Sequence, residues 1–349
     1  LEQKVWIQTT GTLFPNIYTW LVGHPGVGKS RSITLAGQFL RPLEKFAVAP
    51  TSVTAAALVD FMVDSTTVLG LGNSYNSVMI LADELAAFTS DYSHEMIGLL
   101  TTMYDVVIPY GQKRRGKDIN KYIERPQLNM LVGTTPSNLL KYMPDYAWDQ
   151  GFTSRVILIY SNDRVMVDDI FKQLITDAPQ SMVHDLDCIR SLQGEFKIDE
   201  KFSTRFHEWR KAGCIPVPGH PKLLHYSTRR WAHLLKLSMV SSVDRGDNLK
   251  LTEEDFSRAQ GWLLEAERSM GSIFSEGYSI QDFKAQDELL HFIKNQGAYI
   301  PEEKIVREAR RLIPIYAVTK TIDMLERSGL ITSVGINART KMRTFKFND

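Results

Sequence analysis

The sequence predicts an α/β domain: a parallel sheet with helices packed on its faces. Three observations predict it. Over residues 1–160 short apolar runs alternate with helical stretches, the pattern of repeated βαβ units. The first strong run, residues 18–22, passes directly into a glycine-rich loop that opens a helix. A second run, residues 78–82, ends in the paired acids Asp83 and Glu84, and open parallel sheets bind ligands at the carboxyl ends of their strands.

The candidate strands are 18–22, 46–48, 78–82, 128–132 and 156–160; buried parallel strands read as unbroken apolar runs. Residues 161–280 read as mainly helical. Helices are expected at 202–211, 228–243 and 253–272, the last begun by a Thr252 cap and acids in its first turn. Residues 275–283, polar and interrupted by Gly277, read as a linker. Residues 284–349 then run helix, Gly297 turn, helix, helix and two strands. The expected division is a core at 1–160, a helical lid at 161–275, and a linker with a small terminal domain at 276–349.

Composition sets outer bounds. At 349 residues, 43% hydrophobic and 23% charged, the chain suits two or three globular domains. No apolar run reaches the ~18 residues of a membrane span, and no signal peptide is visible, so a cytoplasmic protein is expected. The chain opens on Leu1 rather than Met, which leaves room for a domain upstream. Cys188 and Cys214 have neither CxxC spacing nor a histidine ligand pattern, and read as reduced thiols. A net charge of +1 means that any nucleic-acid signal must be local.

The loop after the first strand is Gly23-His24-Pro25-Gly26-Val27-Gly28-Lys29-Ser30, a match to G-x-x-x-x-G-K-S between a strand and a helix. Its glycines allow backbone amides to surround phosphate oxygens at a helix N-terminus. Lys29 supplies a point charge for the β- and γ-phosphates, and the Ser30 hydroxyl is a Mg²⁺ ligand. ATP and Mg²⁺ are therefore the expected ligands, with Gly23, Pro25, Gly26, Val27, Gly28, Lys29 and Ser30 forming the cradle. Asp83 suits the metal shell and Glu84 the attacking water. Phosphoryl transfer needs mainly positioning and charge stabilisation, which such residues supply.

Further along, Gly133-Thr134-Thr135-Pro136 resembles the sensor-1 strand end of AAA+ ATPases. Gly151-Phe152-Thr153-Ser154-Arg155 resembles the Ser-Arg-Phe box of MCM-type helicases, and Thr228-Arg229-Arg230 through Lys236-Leu237-Ser238 resembles a sensor-2 helix. Residues 17–275 are similar to phage and plasmid AAA+ ATPases often fused to primase or primase-polymerase domains. The resemblance implies Thr135 as sensor 1 with Asn138 as rival, Arg155 as arginine finger, and Arg229 at the sensor-2 position with Arg230 as rival. It also implies a ring, expected as a hexamer, because a finger at the far end of the sheet serves a neighbour's nucleotide. A primase, fused or separate, is an implied partner.

Between Glu84 and the sensor strand lie two apolar-containing runs around a glycine-bounded basic tip, read as a β-hairpin. Residues 111–125 hold six Lys or Arg against two acids. MCM-like and superfamily-three helicases insert their pore hairpin at this point, which makes Lys113, Arg114, Arg115 and Lys117 candidate phosphate contacts to single-stranded DNA. The terminal unit resembles a winged helix, with Lys320 on its third helix and Arg339, Lys341 and Arg343 on its wing as candidate duplex contacts. The implied function is an ATP-driven DNA translocase, a replicative helicase of a phage or plasmid. The alternative is an origin initiator or helicase loader that binds duplex DNA as a nucleotide-switched platform.

Overall fold

A computed structural model describes residues 2–44, 46–70, 73–88, 94–105, 109–113, 120–143, 145–149, 151–164, 179–246, 248–274, 288–297, 299–313, 315–327, 329–336 and 342–348. The chain divides into two compact units, Leu1–Phe274 and Ser275–Asp349.

The larger unit begins with the hairpin β1 (Val5–Gln8) and β2 (Thr12–Leu13), followed by β3 (Tyr18–Val22), α1 (Lys29–Leu40), β4 (Ala47–Val48) and α2 (Ala55–Asp64). Next come a hairpin, β5 (Thr67–Gly70) and β6 (Asn73–Tyr75), then β7 (Val78–Ala82), α3 (Leu85–Phe88) and α4 (His94–Asp105). A second hairpin, β8 (Tyr110–Lys113) and β9 (Asn120–Ile123), precedes β10 (Leu128–Thr134), α5 (Pro136–Tyr142), α6 (Asp145–Asp149) and β11 (Val156–Tyr160). Five strands form one sheet in the order β11-β3-β10-β7-β4, and every pairing in it is parallel. The α/β expectation holds in that form, and four of the five strands begin where the apolar runs begin. Along β3 and β7 burial alternates: Tyr18, Trp20 and Val22 are sealed in the core, as are Val78, Ile80 and Ala82.

The segment expected as a helical lid packs on the core of the sheet. Its elements are α7 (Gln180–Ser191), β12 (Gly194–Glu195), β13 (Lys197–Ile198), α8 (Glu200–Lys211), α9 (Leu224–Gly246), β14 (Lys250–Leu251) and α10 (Glu253–Glu267). β12 joins β1 in parallel and β13 joins β14, while the residues of α8, α9 and α10 share one continuous core with the sheet. Leu1–Phe274 thus form one compact unit. A buried ion pair ties it together. Arg230 donates from Nε and Nη2 to the two Glu267 oxygens at 2.7 Å each, and the Tyr226 hydroxyl donates to Glu267 at 2.9 Å. The start of α10 follows the sequence expectation: Asp255 accepts from the Thr252 N–H at 2.8 Å. The expected run to residue 272 shortens, and α10 closes at Glu267.

The smaller unit has helical residues 288–295, β15 (Ile300–Pro301), α11 (Glu302–Leu312), α12 (Ile315–Arg327), β16 (Ile331–Ile336) and β17 (Arg343–Phe347). Leu289, Ile293, Ile305, Ile322, Ile331 and Phe345 form its own core. Its sheet has a third strand, β15, which the sequence pattern does not announce; β15 and β16 flank β17 antiparallel. Gly297 and Gly329 close turns at φ +94° and +76°, where glycine carries no steric cost. The expected linker at 275–283 lies outside the described residues. Among the described residues no helix is long and apolar enough to cross a membrane. Both cysteines are free.

Candidate functional site

Because β10 lies between β3 and β7, with Thr134 opposite Val22 and Val132 opposite Ala82, the segments that follow these strands emerge side by side at one sheet edge. β3 delivers Gly23, whose N–H donates to the Thr134 carbonyl at 3.2 Å. β7 delivers Asp83, which is exposed, and Glu84, which is half-buried. Close backbone approach fixes two glycines here. A Cβ on Gly23 would sit 2.3 Å from the Ser161 carbonyl oxygen, and one on Gly133 would sit 2.4 Å from that of Asp83.

Within the loop, Gly26 and Gly28 take φ +87° and +95°, the left-handed region open to glycine. Gly28 caps α1 without a side-chain bond, and the helix has no acid in its first turn. The first N–H groups of α1 and the positive end of its dipole thus face an anion's position beside Lys29 and Ser30. Pro25, Gly26 and Ser30 are exposed and Val27 is half-buried. Lys29 Nζ donates to the carbonyls of Gly23 at 2.6 Å and His24 at 3.0 Å. Burial lowers the Lys29 pKa, and the nearby Glu84 carboxylate works against that shift.

Glu84 is held from the neighbouring strand. The Thr134 hydroxyl donates to its Oε1 at 3.1 Å, and Asn138 Nδ2 donates to the same oxygen at 3.3 Å. Thr135, expected as the polar sensor, is used differently. Its backbone is extended (φ −99°, ψ 156°), and its hydroxyl accepts the Asn138 N–H at 3.2 Å, which makes it the cap of α5 ahead of Pro136. A threonine before a helix-opening proline meets a strong local capping demand, and that demand takes its oxygen. The rival Asn138 faces Glu84 instead. Sequence reasoning missed Thr134; the available signal is its place two residues beyond buried Val132, on the same face of the strand.

Arg155 and Arg229 come together at the opposite sheet edge. Arg155 directly precedes β11, whose Val156 pairs with Tyr18 at the start of β3; the length of β3, about 17 Å, separates that edge from Gly23. Arg155 is 6% exposed. Its Nη1 donates to Gly151 at 2.6 Å, while Nε (3.3 Å) and Nη2 donate to Asp105. Arg229 Nη1 donates to the same carboxylate at 3.2 Å, and the Arg229 side chain is 35% exposed. Asp105 and Arg229 line a cavity of about 600 Å³ together with Lys236. Arg230, the rival to Arg229, is fully buried on Glu267 and takes no part in this cluster.

His233 braces the turn that carries Arg155. Its Nε2–H donates to the Ser154 carbonyl at 2.9 Å. Burial pushes its imidazole down to about 3, the Ser154 bond opposing and the nearby cations of Lys236 and Arg229 assisting. The folded chain thus keeps His233 neutral where the unfolded chain, with an ordinary value of about 6.5, becomes charged. Stability from this residue is complete above that value and is lost progressively as pH falls toward 3. The urea midpoint should therefore drop more steeply between about pH 6.5 and 4 in the native chain than in His233→Gln; equal slopes would contradict this.

The β8–β9 hairpin lies where the sequence puts it. Arg114, Arg115, Lys117, Arg339 and Lys341 lie outside the described residues, as do the side chains of Lys113 and Lys320. Arg343, expected as a DNA contact, is instead a clasp. It donates to Glu302 at 2.9 Å, Asp323 at 3.0 Å and Glu326 at 2.9 Å, joining α11, α12 and β17. Its guanidinium also holds the Glu302 carboxyl below the usual range, against the opposing effect of burial. Three carboxylates leave little charge for a phosphate. No family model matches this sequence, and no curated protein is significantly similar to it.

Proposed function

We propose that the protein is an ATP-hydrolysing, oligomeric translocase of the AAA+ kind that moves single-stranded DNA, a replicative helicase of a phage or plasmid with a winged-helix terminal domain. One observation carries the catalytic part. The loop at residues 23–30, the Asp83–Glu84 pair and the Thr134–Asn138 pair meet at the carboxyl edge of one parallel sheet, and Glu84 is already oriented by two donors.

The residues present fit a magnesium triphosphate. The left-handed glycines, the uncapped start of α1 and Lys29 suit the phosphates. Ser30 and Asp83 suit a metal that draws its remaining ligands from phosphate and water; among the described residues no group of three or more His, Cys, Asp or Glu is arranged to hold a metal. When bound, magnesium would supply charge neutralisation at the phosphates. The chain does the rest. Lys29 turns from the loop carbonyls to the phosphates. Glu84, its Oε1 fixed by Thr134 and Asn138, presents its other oxygen to the attacking water. Arg155 and Arg229, a strand's length from their own loop, serve the γ-phosphate of an adjoining copy, with the cavity beside Arg229 as the place where that copy's nucleotide edge arrives. Copies related head to tail in this way close into a ring.

The β8–β9 hairpin, inserted between Glu84 and β10, would couple that chemistry to DNA through Lys113, Arg114, Arg115 and Lys117. An initiator that grips duplex DNA with its wing is less well supported, because Arg343 is neutralised within its own domain. A forked substrate tests the reading. The oligomer should displace the annealed strand only with ATP, and Glu84→Gln should abolish displacement. An oligomer that hydrolyses ATP vigorously yet displaces no strand would contradict the motor.

A further inference from the structure

We infer that the loop after α8 docks into an apolar cavity of a second copy of this chain, as a contact that joins copies head to tail; this deepens the assembly proposed above and rests on it. The loop carries Ile215-Pro216-Val217-Pro218 between α8 and α9. Its base is pinned. Trp209 Nε1 donates to the Ile215 carbonyl at 3.1 Å, Arg230 Nη1 donates to the Cys214 carbonyl, and the His220 ring stacks on Phe274 with centroids 4.1 Å apart. Yet Ile215 is 57% exposed, Val217 44%, and Leu224, which opens α9, 66%. A single exposed apolar residue needs no explanation. Three along one braced segment make a preformed knob that loses little freedom on binding.

The cavity lies at the other end of α9. Phe39 and Leu40 of α1, Met182, Leu186 and Ile189 of α7, and Val243 of α9 line a space of about 610 Å³, and Met182 is 47% exposed. α9 has 23 residues, so about 33 Å separates Leu224 from Gly246. A pinned loop cannot cross that distance to its own cavity. The contact is therefore heterologous, the kind that closes into a ring or runs on as a filament. Charge agrees with it. The loop follows Arg210 and Lys211 in the last turn of α8. At the cavity's rim Asp244 is matched by Arg258 and Arg245 by Asp255, which leaves the exposed Asp185 to meet the basic loop. The same two helices carry the groups proposed to share a nucleotide. α1 begins at Lys29 and ends at the cavity, while Arg229 stands in the second turn of α9, just beyond the loop. Loop and arginine would thus reach one neighbour together.

Sedimentation velocity of the full chain with Mg-ATP, over a range of protein concentrations, tests the contact. The native chain should sediment as an oligomer. A knob variant, Ile215→Asp with Val217→Asp, and a socket variant, Met182→Lys, should each sediment as monomers with unchanged thermal unfolding, since all three positions are exposed. Ile215→Ser with Val217→Ser, which removes apolar surface and adds no charge, should raise the concentration needed for assembly by at least about tenfold. Mixed in equal amounts, the knob and socket variants should form dimers and stop there. The intact loop of one meets the intact cavity of the other, and both outer ends of the dimer are defective. Folded variants that stay monomeric when mixed, or either one assembling like the native chain, would overturn the docking contact. Recovery of hydrolysis on mixing Glu84→Gln with Arg229→Ala chains would then show that copies still share a site through another surface. A native chain that stays monomeric at every concentration would instead remove the head-to-tail reading itself.

Discussion

Replacing Glu84 with Gln should leave ATP binding within a few-fold of native and reduce steady-state hydrolysis by at least about a hundredfold. Glutamine keeps the shape and still accepts the bonds from Thr134 and Asn138 at one oxygen. What it removes is the negative charge proposed to polarise the attacking water and to take its proton. Lys29→Ala should differ in its effect on binding. Its ammonium sits in the loop itself, bonded to the Gly23 and His24 carbonyls, so its loss should weaken nucleotide binding as well as turnover. Asn138→Ala should fall between, lowering kcat with little change in KM, because one of two donors to Glu84 would remain. Thr135→Ala sets the expected sensor role against the cap. Its main effect should be the loss of a helix cap, about 1 kcal/mol of stability, with turnover largely kept. Equilibrium binding of a fluorescent ATP analogue together with phosphate release under saturating ATP separates these outcomes.

Removing the Arg229 guanidinium should reduce turnover by about a thousandfold without weakening nucleotide binding by the same copy, because Arg229 lies at the opposite sheet edge from its own loop. Arg155→Ala should do likewise and in addition lower stability, since Arg155 is 6% exposed and its removal leaves the Gly151 carbonyl without this donor and Asp105 with Arg229 alone. The difference between the two follows from their exposure. Arg229, 35% exposed, is the group with reach; Arg155 is held on two sides and shares its carboxylate. Single-turnover hydrolysis alongside thermal unfolding distinguishes loss of chemistry from loss of fold.

The sheet and the glycine-rich loop after β3 were legible because their signals are local. An apolar run, a glycine-rich turn and a helix start occupy adjacent residues, and the left-handed angles of Gly26 and Gly28 are written into the sequence as glycines. The paired acids after β7 were legible for the same reason. What escaped depended on contacts between distant segments. Thr135 and Thr134 are neighbours with identical side chains, and only strand alternation against β3 and β7 decides which faces Glu84. Arg229 and Arg230 are likewise adjacent, and the choice is made by Glu267, far along the chain in α10. Asp105, which joins Arg155 to Arg229, carries no motif at all. The β5–β6 hairpin had a faint signal in Gly70, Gly72 and Asn73 between β-prone residues. Arg343 looked like a wing cation because a sequence does not display the three carboxylates folded around it.

Each hydrolytic site is proposed to be shared: acids and loop from one copy, arginines from the next. Mixing Glu84→Gln chains with Arg229→Ala chains tests this most directly. Each is inactive alone, one lacking the carboxylate and the other the guanidinium it lends. In mixed rings of equal proportions about a quarter of the seams would join an intact acid site to an intact arginine, and phosphate release should recover toward that fraction of native. Co-purified mixed oligomers that stay as inactive as either parent would contradict a shared site.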